Sequence, residues 1–509
     1  MPSSDFDAVL IGAGPAGCAA ARLLSAWGHR VLLVDRPEAD ARTLAESIPP
    51  SAQRVLAALG MLTSMEDAGF LPWRSNVVWW GDLEPRTESF APGQAGYLVS
   101  RRAFDRRLQS LALESGADLR RAIVREVTHP QPEDDPAAVH AVLADMEDET
   151  VTFGASFVLD CSGRAGVIAR RGLRETAASP RTIALVGVWR TERDWPGVAD
   201  TQTLVASYPD GWAWSVPTEP GLRHFTVMVE PGRTDLAGSN AAARYAAELA
   251  KVPPFQTLLA SAELVEGPWG ADASVYTARR YAPGGCLLVG DAGSFIDPLS
   301  SFGVKKALVS GWLAAIVVHT ALTRPEMRGD ALAFFDRRER QMAAGARKQA
   351  AEFAASAAGE TPHPFWLARA TDRHDGLDLN NEADPAALAR DPAVLAAFED
   401  LRRRQAVRLA IHDDVRFEPR AIVRGREVVL DEHLLAPGFP DGIRYLRDID
   451  LVTLVRLAPQ HADVGEMYDA LGRAHTSAGS ASNRDVPLSD FLGALSALIA
   501  WRALKHEDK

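Results

Sequence analysis

The segment "DAVLIGAGPAG", residues 7–17, limits what this chain can fold into more than any other stretch. Asp7–Ile11 reads as a short buried strand, followed at once by Gly12, Gly14 and Gly17 in GxGxxG spacing and by an alanine-rich helical run. In that order the first glycine permits a tight turn and the second lets the backbone approach a pyrophosphate. The third lets helix and strand pack closely. The helix start around Ala13, Pro15 and Ala16 supplies amides and a positive dipole end for phosphate oxygens. "HRVLLVD" (29–35) is the next strand. Asp35 closes it, where a carboxylate can bind ribose hydroxyls, and Arg36 follows. Together these elements are a βαβ unit, the start of a doubly wound sheet.

A chain of 509 residues is too long for one hydrophobic core, so two or three domains are expected. A formal net charge of -12 argues against nucleic acid, whose binding is driven by cationic contacts to phosphate. The three cysteines, Cys18, Cys161 and Cys286, lie far apart without metal-ligand spacing, so no metal and a reducing compartment are expected. No basic segment precedes the first strand, and the most apolar run, residues 307–322, contains Gly311 and His319. A cytoplasmic protein without a membrane span is the expectation.

Further along, "SRRAFDRRLQSLALESGA" reads as an amphipathic helix, then "DLRRAIVREV" and "VTFGASFVLDCSG" as strands. Between about 176 and 275 alternating segments such as "RTIALVGVWRT", "WAWSVPT" and "RHFTVMVEP" suggest an antiparallel sheet. "GGCLLVGDAGSFIDPLSSFG" returns to a buried strand with a glycine-rich loop, and long helices follow. The tail carries a hairpin turning at Arg424-Gly425 and then three helices.

Asp291, after Gly290 at the end of a hydrophobic strand and seven residues before Pro298, is placed to hold a ribityl hydroxyl. At this point the chain resembles the FAD-dependent monooxygenases of the aromatic-hydroxylase superfamily and their relatives, the flavin-dependent halogenases. "SRRAFD" matches the family pattern R-x-x-F-D, in which Arg101 would help hold FAD. The resemblance also implies contacts from Val124 near adenine, from Asp160 and Gly163 in "LDCSG", and from Glu46 and Ser47 in the loop over the flavin. Backbone amides near Gly303 and Val304 would face the N1/C2 carbonyl side of the ring. The expected fold is α/β: a Rossmann-like FAD-binding domain (1–175, returning at 276–355) with an inserted antiparallel-sheet substrate domain (176–275). A helical linker (356–405) and a separate small C-terminal domain (406–509), a hairpin plus helices, complete it. The tail faintly resembles winged-helix peptide-recognition domains, in which a peptide adds a strand beside the hairpin.

Halogenases of this superfamily carry W-x-W-x-I-P, and Trp212, Trp214 and Pro217 match it with Val216 for isoleucine. They also use one lysine after the first βαβ unit, and here the corresponding stretch, "AGFLPWRSNVVWWG", offers Trp73 and Arg74. No lysine precedes Lys251. Arginine cannot act as an amine nucleophile or cycle a proton, because its pKa stays above about 12. The expected activity is therefore FAD-dependent hydroxylation of an electron-rich aromatic, indole- or phenol-like, free or as a tryptophan within a peptide. A halogenase with a non-standard lysine, a flavoprotein reductase and an FAD-containing maturation factor are the alternatives. Trp79, Trp80, Trp212 and Trp214 are candidate walls of the substrate site, and His224 a candidate catalytic group on a neighbouring strand. Electrons would come from NAD(P)H directly or through a flavin reductase.

Overall fold

The computed structural model describes residues 5–37, 44–81, 84–128, 139–147, 149–176, 180–231, 240–371, 391–404, 406–446, 449–477 and 487–507. The chain divides into two compact units, Met1–Asp375 and Gly376–Lys509.

The first unit is built on a mixed sheet whose parallel part runs Asp118–Arg121, Val31–Asp35, Phe6–Ile11, Glu149–Asp160, Cys286–Leu288. The inner strands Phe6–Ile11, Val31–Asp35 and Cys286–Leu288 are near-continuous apolar runs, as buried parallel strands are, whereas the edge strand Asp118–Arg121 is polar and exposed. The helix Pro15–Ala26 packs on the sheet and is crossed closely by a second helix, Gly303–Thr323. A Cβ on Gly311 would lie 2.4 Å from the carbonyl oxygen of Ala16, so only glycine allows that crossing. Gly303–Thr323 is long and apolar enough to cross a membrane, yet 72% of its apolar window is buried inside the fold.

"DLRRAIVREV" is broken where a single strand is expected. Asp118–Arg121 and Ile123–Thr128 flank Ala122, whose N–H donates to the Asp35 carbonyl at 2.8 Å and closes the parallel ladder with Val31–Asp35. Beyond it the chain changes partner, and Ile123–Thr128 pairs antiparallel with His140–Met146.

A second, seven-stranded sheet runs Glu263–Asp272, Ile183–Arg190, Leu222–Val229, Gly211–Glu219, Gln202–Tyr208, Ser75–Trp79, Arg86–Ser89. Its last two strands come from residues 75–89, outside the expected 176–275 insertion. Ser75–Trp79 joins by parallel pairing with Gln202–Tyr208, a long-range contact with no local pattern. One face of this sheet packs Phe225, Val227 and Ala213 against Tyr245 and Phe255. The other packs Trp212 and Met228 against Ala354, Phe365 and Trp366.

The expected linker, 356–405, is not one stretch. The helix Arg328–Glu360 and the short helix Pro364–Ala370 belong to the first unit, and Pro392–Arg403 to the second, while residues 372–390 lie outside the described residues. In the second unit the hairpin Arg416–Arg424/Glu427–Ala436 turns at Gly425, which has φ 63°, and pairs onward with Phe439–Ile443. Helices Leu451–Leu457, Val464–Ser477 and Leu488–Ala500 follow, the last burying Phe491, Leu495 and Leu498.

Candidate flavin site and aromatic cavity

Each glycine of the fingerprint answers to a different constraint. Gly12 has φ 104°, and a Cβ there would lie 2.5 Å from the Cys161 carbonyl oxygen. A Cβ on Gly17 would lie 2.0 Å from the Gly12 carbonyl oxygen. A Cβ on Gly14 would meet nothing within 4 Å, so no contact within the chain demands glycine at this position. That is what a backbone shaped for a pyrophosphate requires. Gly14 caps the helix Pro15–Ala26 without a side-chain hydrogen bond, and no acid sits in its first turn, so the amides around Pro15 and Ala16 suit an anion.

Three chain segments converge on this turn. A Cβ on Gly290, whose φ is 63°, would lie 3.2 Å from the Ala16 Cβ and 3.4 Å from Ala307. Pro298–Ser300 forms a short 3-10 turn, and Ser301 at φ 51° reverses the chain into the helix that begins at Gly303. That helix too lacks a side-chain cap and a first-turn acid; a Cβ on Gly303 would again meet nothing within 4 Å, whereas Val304 is buried. Ser47, also buried, shares a 3.3 Å hydroxyl hydrogen bond with Ser301, tying the loop of residues 45–48 to this turn.

Glu46 and Arg101 form an ion pair at 3.3 Å, and Arg101 also binds Asp105 at 3.1 Å. Burial pushes the Glu46 carboxyl up, with Arg101 opposing and Asp291 adding to the rise. Burial works against the Arg101 charge, but Asp105 and Glu46 outweigh it. Asp291 acts on both groups, so R-x-x-F-D, Glu46 and the Gly290–Asp291 turn are neighbours in space. Phe104, the aromatic of that motif, is fully buried and anchors its helix.

Two expected cofactor contacts stand differently. Asp160 is 0% exposed, and its oxygens accept from Ser162 N–H and O–H and from the amides of Ile168 and Ala169. It has no surface left for a ligand, and its role is to shape the 160–169 loop, in which Gly163 takes φ 62°. Asp35 is engaged by Arg121 at 2.6 Å, which itself reaches Gln109, so a ribose would meet an arginine–carboxylate pair rather than a lone acid. Arg36 is exposed beside it, and Val124, half-buried, follows the break at Ala122.

The tryptophans divide by strand parity. Trp212 and Trp214 share a face, with ring centroids 5.0 Å apart at 37°. Trp212 is 2% exposed and lines a cavity with Trp366, Leu299, Asp297, Thr182 and Arg369. Trp80 joins this side, 5.3 Å from Trp366. Trp79, expected as a wall residue, points the other way toward Phe255, because consecutive strand residues face opposite sides. Trp73 is buried against Leu98 and Val216 and donates its indole N–H to the Ser75 carbonyl and Asn76 side chain.

His224 lies opposite Val216 and Val188, on the same sheet face as Trp212. It is 4% exposed, its Nδ1 is buried without a hydrogen-bond partner, and burial pushes it down to about 4. It is therefore a neutral imidazole at physiological pH. It does not line the cavity.

The residues that sequence reasoning missed come from the helices after 328. Trp366 donates its indole N–H to the Tyr208 carbonyl at 2.9 Å, which fixes the ring across the cavity from Trp212. Arg369 pairs with Glu230 at 3.1 Å, donates to Thr182 and stacks 3.7 Å over Phe365. Asp297 is pushed up by burial and drawn back by the Leu299 amide and Arg369. The aromatic density of "HPFW" was the available signal; the fold it belonged to was not.

A doubly wound sheet with two uncapped helix N-termini set around one glycine-bounded turn defines a dinucleotide-binding flavoprotein, and Gly14, Gly303 and the Glu46–Arg101 pair fit FAD. The chain belongs to the family described as FAD binding domain, whose sequence profile matches residues 5–310. Curated relatives of the chain include flavin-dependent halogenases. The chain is 29% identical over 349 residues to a tryptophan 2-halogenase of Chondromyces crocatus, covering 66% of this chain and 65% of that one. It thus spans just under two thirds of that relative's length. The crystal structure of CmlS, a flavin-dependent halogenase, matches with a TM-score of 0.77 at 22% identity, over 98% of this chain and 96% of the other. Peptidyl tryptophan dihydroxylase QhpG, essential for tryptophylquinone cofactor biogenesis, matches at 0.66 and 24%, over 93% and 99%. These two likenesses concern the fold.

Proposed function

We propose that this protein is an FAD-dependent monooxygenase that hydroxylates an electron-rich aromatic ring, indole- or phenol-like, free or carried as a tryptophan within a peptide. The observation that carries this reading is a cavity with tryptophan walls beside the Asp297–Leu299 turn and, among the described residues, no amine lining it. Lys251 is held by Asp210 and Glu248, Lys305 donates to Ser51, and Lys306 is spent on Asp291. The family resemblance would put Trp73 where halogenases use a lysine.

Bound reduced FAD would supply the activation of dioxygen. The chain's own part is to hold the flavin, place the ring to be oxidised and keep water out. Gly12–Gly17 and the helix start at Pro15 would hold the pyrophosphate, Asp291 the ribityl chain, and Glu46 with Arg101 the loop over the ring. Trp212, Trp214 and Trp366 give flat apolar surfaces against which an aromatic substrate can lie, and exclusion of water protects a labile oxidant. His224, neutral and buried on the same sheet face, lies outside the cavity lining and carries no charge to the substrate. Electrons would arrive from NAD(P)H directly or through a separate flavin reductase.

The second reading, halogenation, is favoured by the relatives' names. Product mass separates the two. Reduced FAD, oxygen and a panel of indoles, phenols and tryptophan-containing peptides are supplied with chloride and bromide present. Addition of oxygen to product supports hydroxylation; a halogenated product with no oxygenated one overturns it.

A further inference from the structure

The tryptophan cavity is braced from the far side of its sheet. Helices Ala241–Leu249 and Pro253–Leu259 cover the face that carries Tyr208, Ala213 and Phe225, opposite the face that carries Trp212 and Met228. Lys251 lies in the turn between these two helices. Its Nζ donates to Asp210 Oδ2 at 2.6 Å and to Glu248 Oε1 at 2.9 Å. Glu248 is buried, so its carboxylate is costly to hold there unless a cation faces it. One ammonium therefore ties a buried carboxylate on a helix to a carboxylate on the sheet.

Asp210 belongs to the two-residue hairpin loop between Gln202–Tyr208 and Gly211–Glu219, in which Tyr208 pairs with Gly211. The loop is closed tightly, since a Cβ on Gly211 would lie 2.4 Å from the Tyr208 ring. Three tryptophans of the cavity side are fixed around it. The Tyr208 carbonyl accepts the Trp366 indole N–H at 2.9 Å. Ser207 Oγ accepts the Gly81 N–H at 2.8 Å, next to Trp80. Trp212 stands opposite Ser207 in the register of the hairpin.

We propose that Lys251 is a positioning residue for the aromatic cavity: by holding Asp210 and Glu248 together it pins the 209–210 loop, and with it the backbone that orients Trp366, Trp212 and Trp80. The inference rests on the reading of this cavity as the substrate site. With the ammonium removed, a buried carboxylate faces a second one at the loop, and the loop moves outward to let them part. That movement draws the Tyr208 carbonyl from the Trp366 indole and shifts the start of the strand that carries Trp212. The strands that carry the GxGxxG turn and Gly290–Asp291 belong to the other sheet and keep their pairing.

The test compares wild type, Lys251→Met and Lys251→Arg, each loaded with FAD, by near-ultraviolet circular dichroism and by calorimetric titration with indole and with phenol. Trp212 and Trp214 have ring centroids 5.0 Å apart, and Trp80 and Trp366 5.3 Å apart, so the tryptophan bands report how the walls are set. Lys251→Met is expected to reduce these bands and to weaken indole and phenol binding several-fold at unchanged FAD affinity. Lys251→Arg, whose guanidinium can bridge two carboxylates, should restore most of both. Asp210→Asn, which removes half of the clamp, serves in the same direction where Lys251→Met does not fold. Spectra and titrations of Lys251→Met that superimpose on wild type overturn the proposal. A loss of FAD affinity as large as the loss of indole affinity overturns it too. If the wild type binds neither indole nor phenol while the bands still respond to Lys251→Met, the substrate reading of the cavity fails and the positioning role is supported.

Discussion

Gly14→Ala and Gly17→Ala change the same residue type three positions apart and should fail in opposite ways. At Gly17 the new methyl would lie 2.0 Å from the backbone oxygen of Gly12. Reaching even 3.0 Å means moving the turn or the helix start by about 1 Å, and both are fixed by the buried strand Phe6–Ile11 and by Cys161. Overpacking typically costs about 1–3 kcal/mol, and a clash with backbone belongs at or above the top of that range. At Gly14 the methyl meets no protein atom, and φ is -82°, which alanine adopts without strain. A poorer N-cap costs about 0.5–1 kcal/mol, and the stiffer unfolded chain returns about the same. Apoprotein Gly14→Ala should therefore melt within a degree or two of wild type, while Gly17→Ala melts several degrees lower. Titration with FAD should show little binding to Gly14→Ala, because its methyl occupies the approach of the pyrophosphate. An apoprotein Gly14→Ala that is as unstable as Gly17→Ala, or one that binds FAD with wild-type affinity, would refute the division of roles.

His224 carries a pH signature. Its folded value, about 4, lies below the ordinary 6.5, so the unfolded state binds the extra proton. The stability held by the neutral imidazole is complete above 6.5 and is lost as pH falls from there toward 4, by up to about 3 kcal/mol. His224→Phe should lose this acid-side slope in denaturant melts run at successive pH values; an unchanged slope would contradict the burial assigned to it. Asp160→Ala leaves the amides of Ile168 and Ala169 without their acceptor and should cost about 2–4 kcal/mol in apoprotein stability, measured by urea unfolding. If it instead weakens FAD binding with stability intact, Asp160 is a ligand contact after all. Trp366→Ala should raise KM for the aromatic substrate more than it alters FAD affinity, since the ring faces Trp212 across the cavity.

The turns around the candidate flavin site were legible in the sequence because their constraints are local. GxGxxG reports a turn within six residues, R-x-x-F-D a single helix turn, and Gly290–Asp291 the end of one buried strand. Asp160 shows the limit of such reading: its motif marks a loop, and only the four donors converging on it reveal that the carboxylate faces inward. Likewise Asp35 ends its strand as expected, but its partner, Arg121, arrives from a strand 86 residues away.

What the sequence by itself determined is the dinucleotide fold, the antiparallel sheet, and the pairing of Trp212 with Trp214 on one face, since backbone turn geometry and strand parity act over a few residues. Only the tertiary structure decided which tryptophans share a cavity. Trp79 and Trp80 differ by one position and part to opposite faces, while Trp366 reaches Trp212 from 154 residues away. That choice depends on how helices after residue 328 pack back onto sheets formed earlier, and packing between distant segments is set by shape and volume that no short pattern encodes.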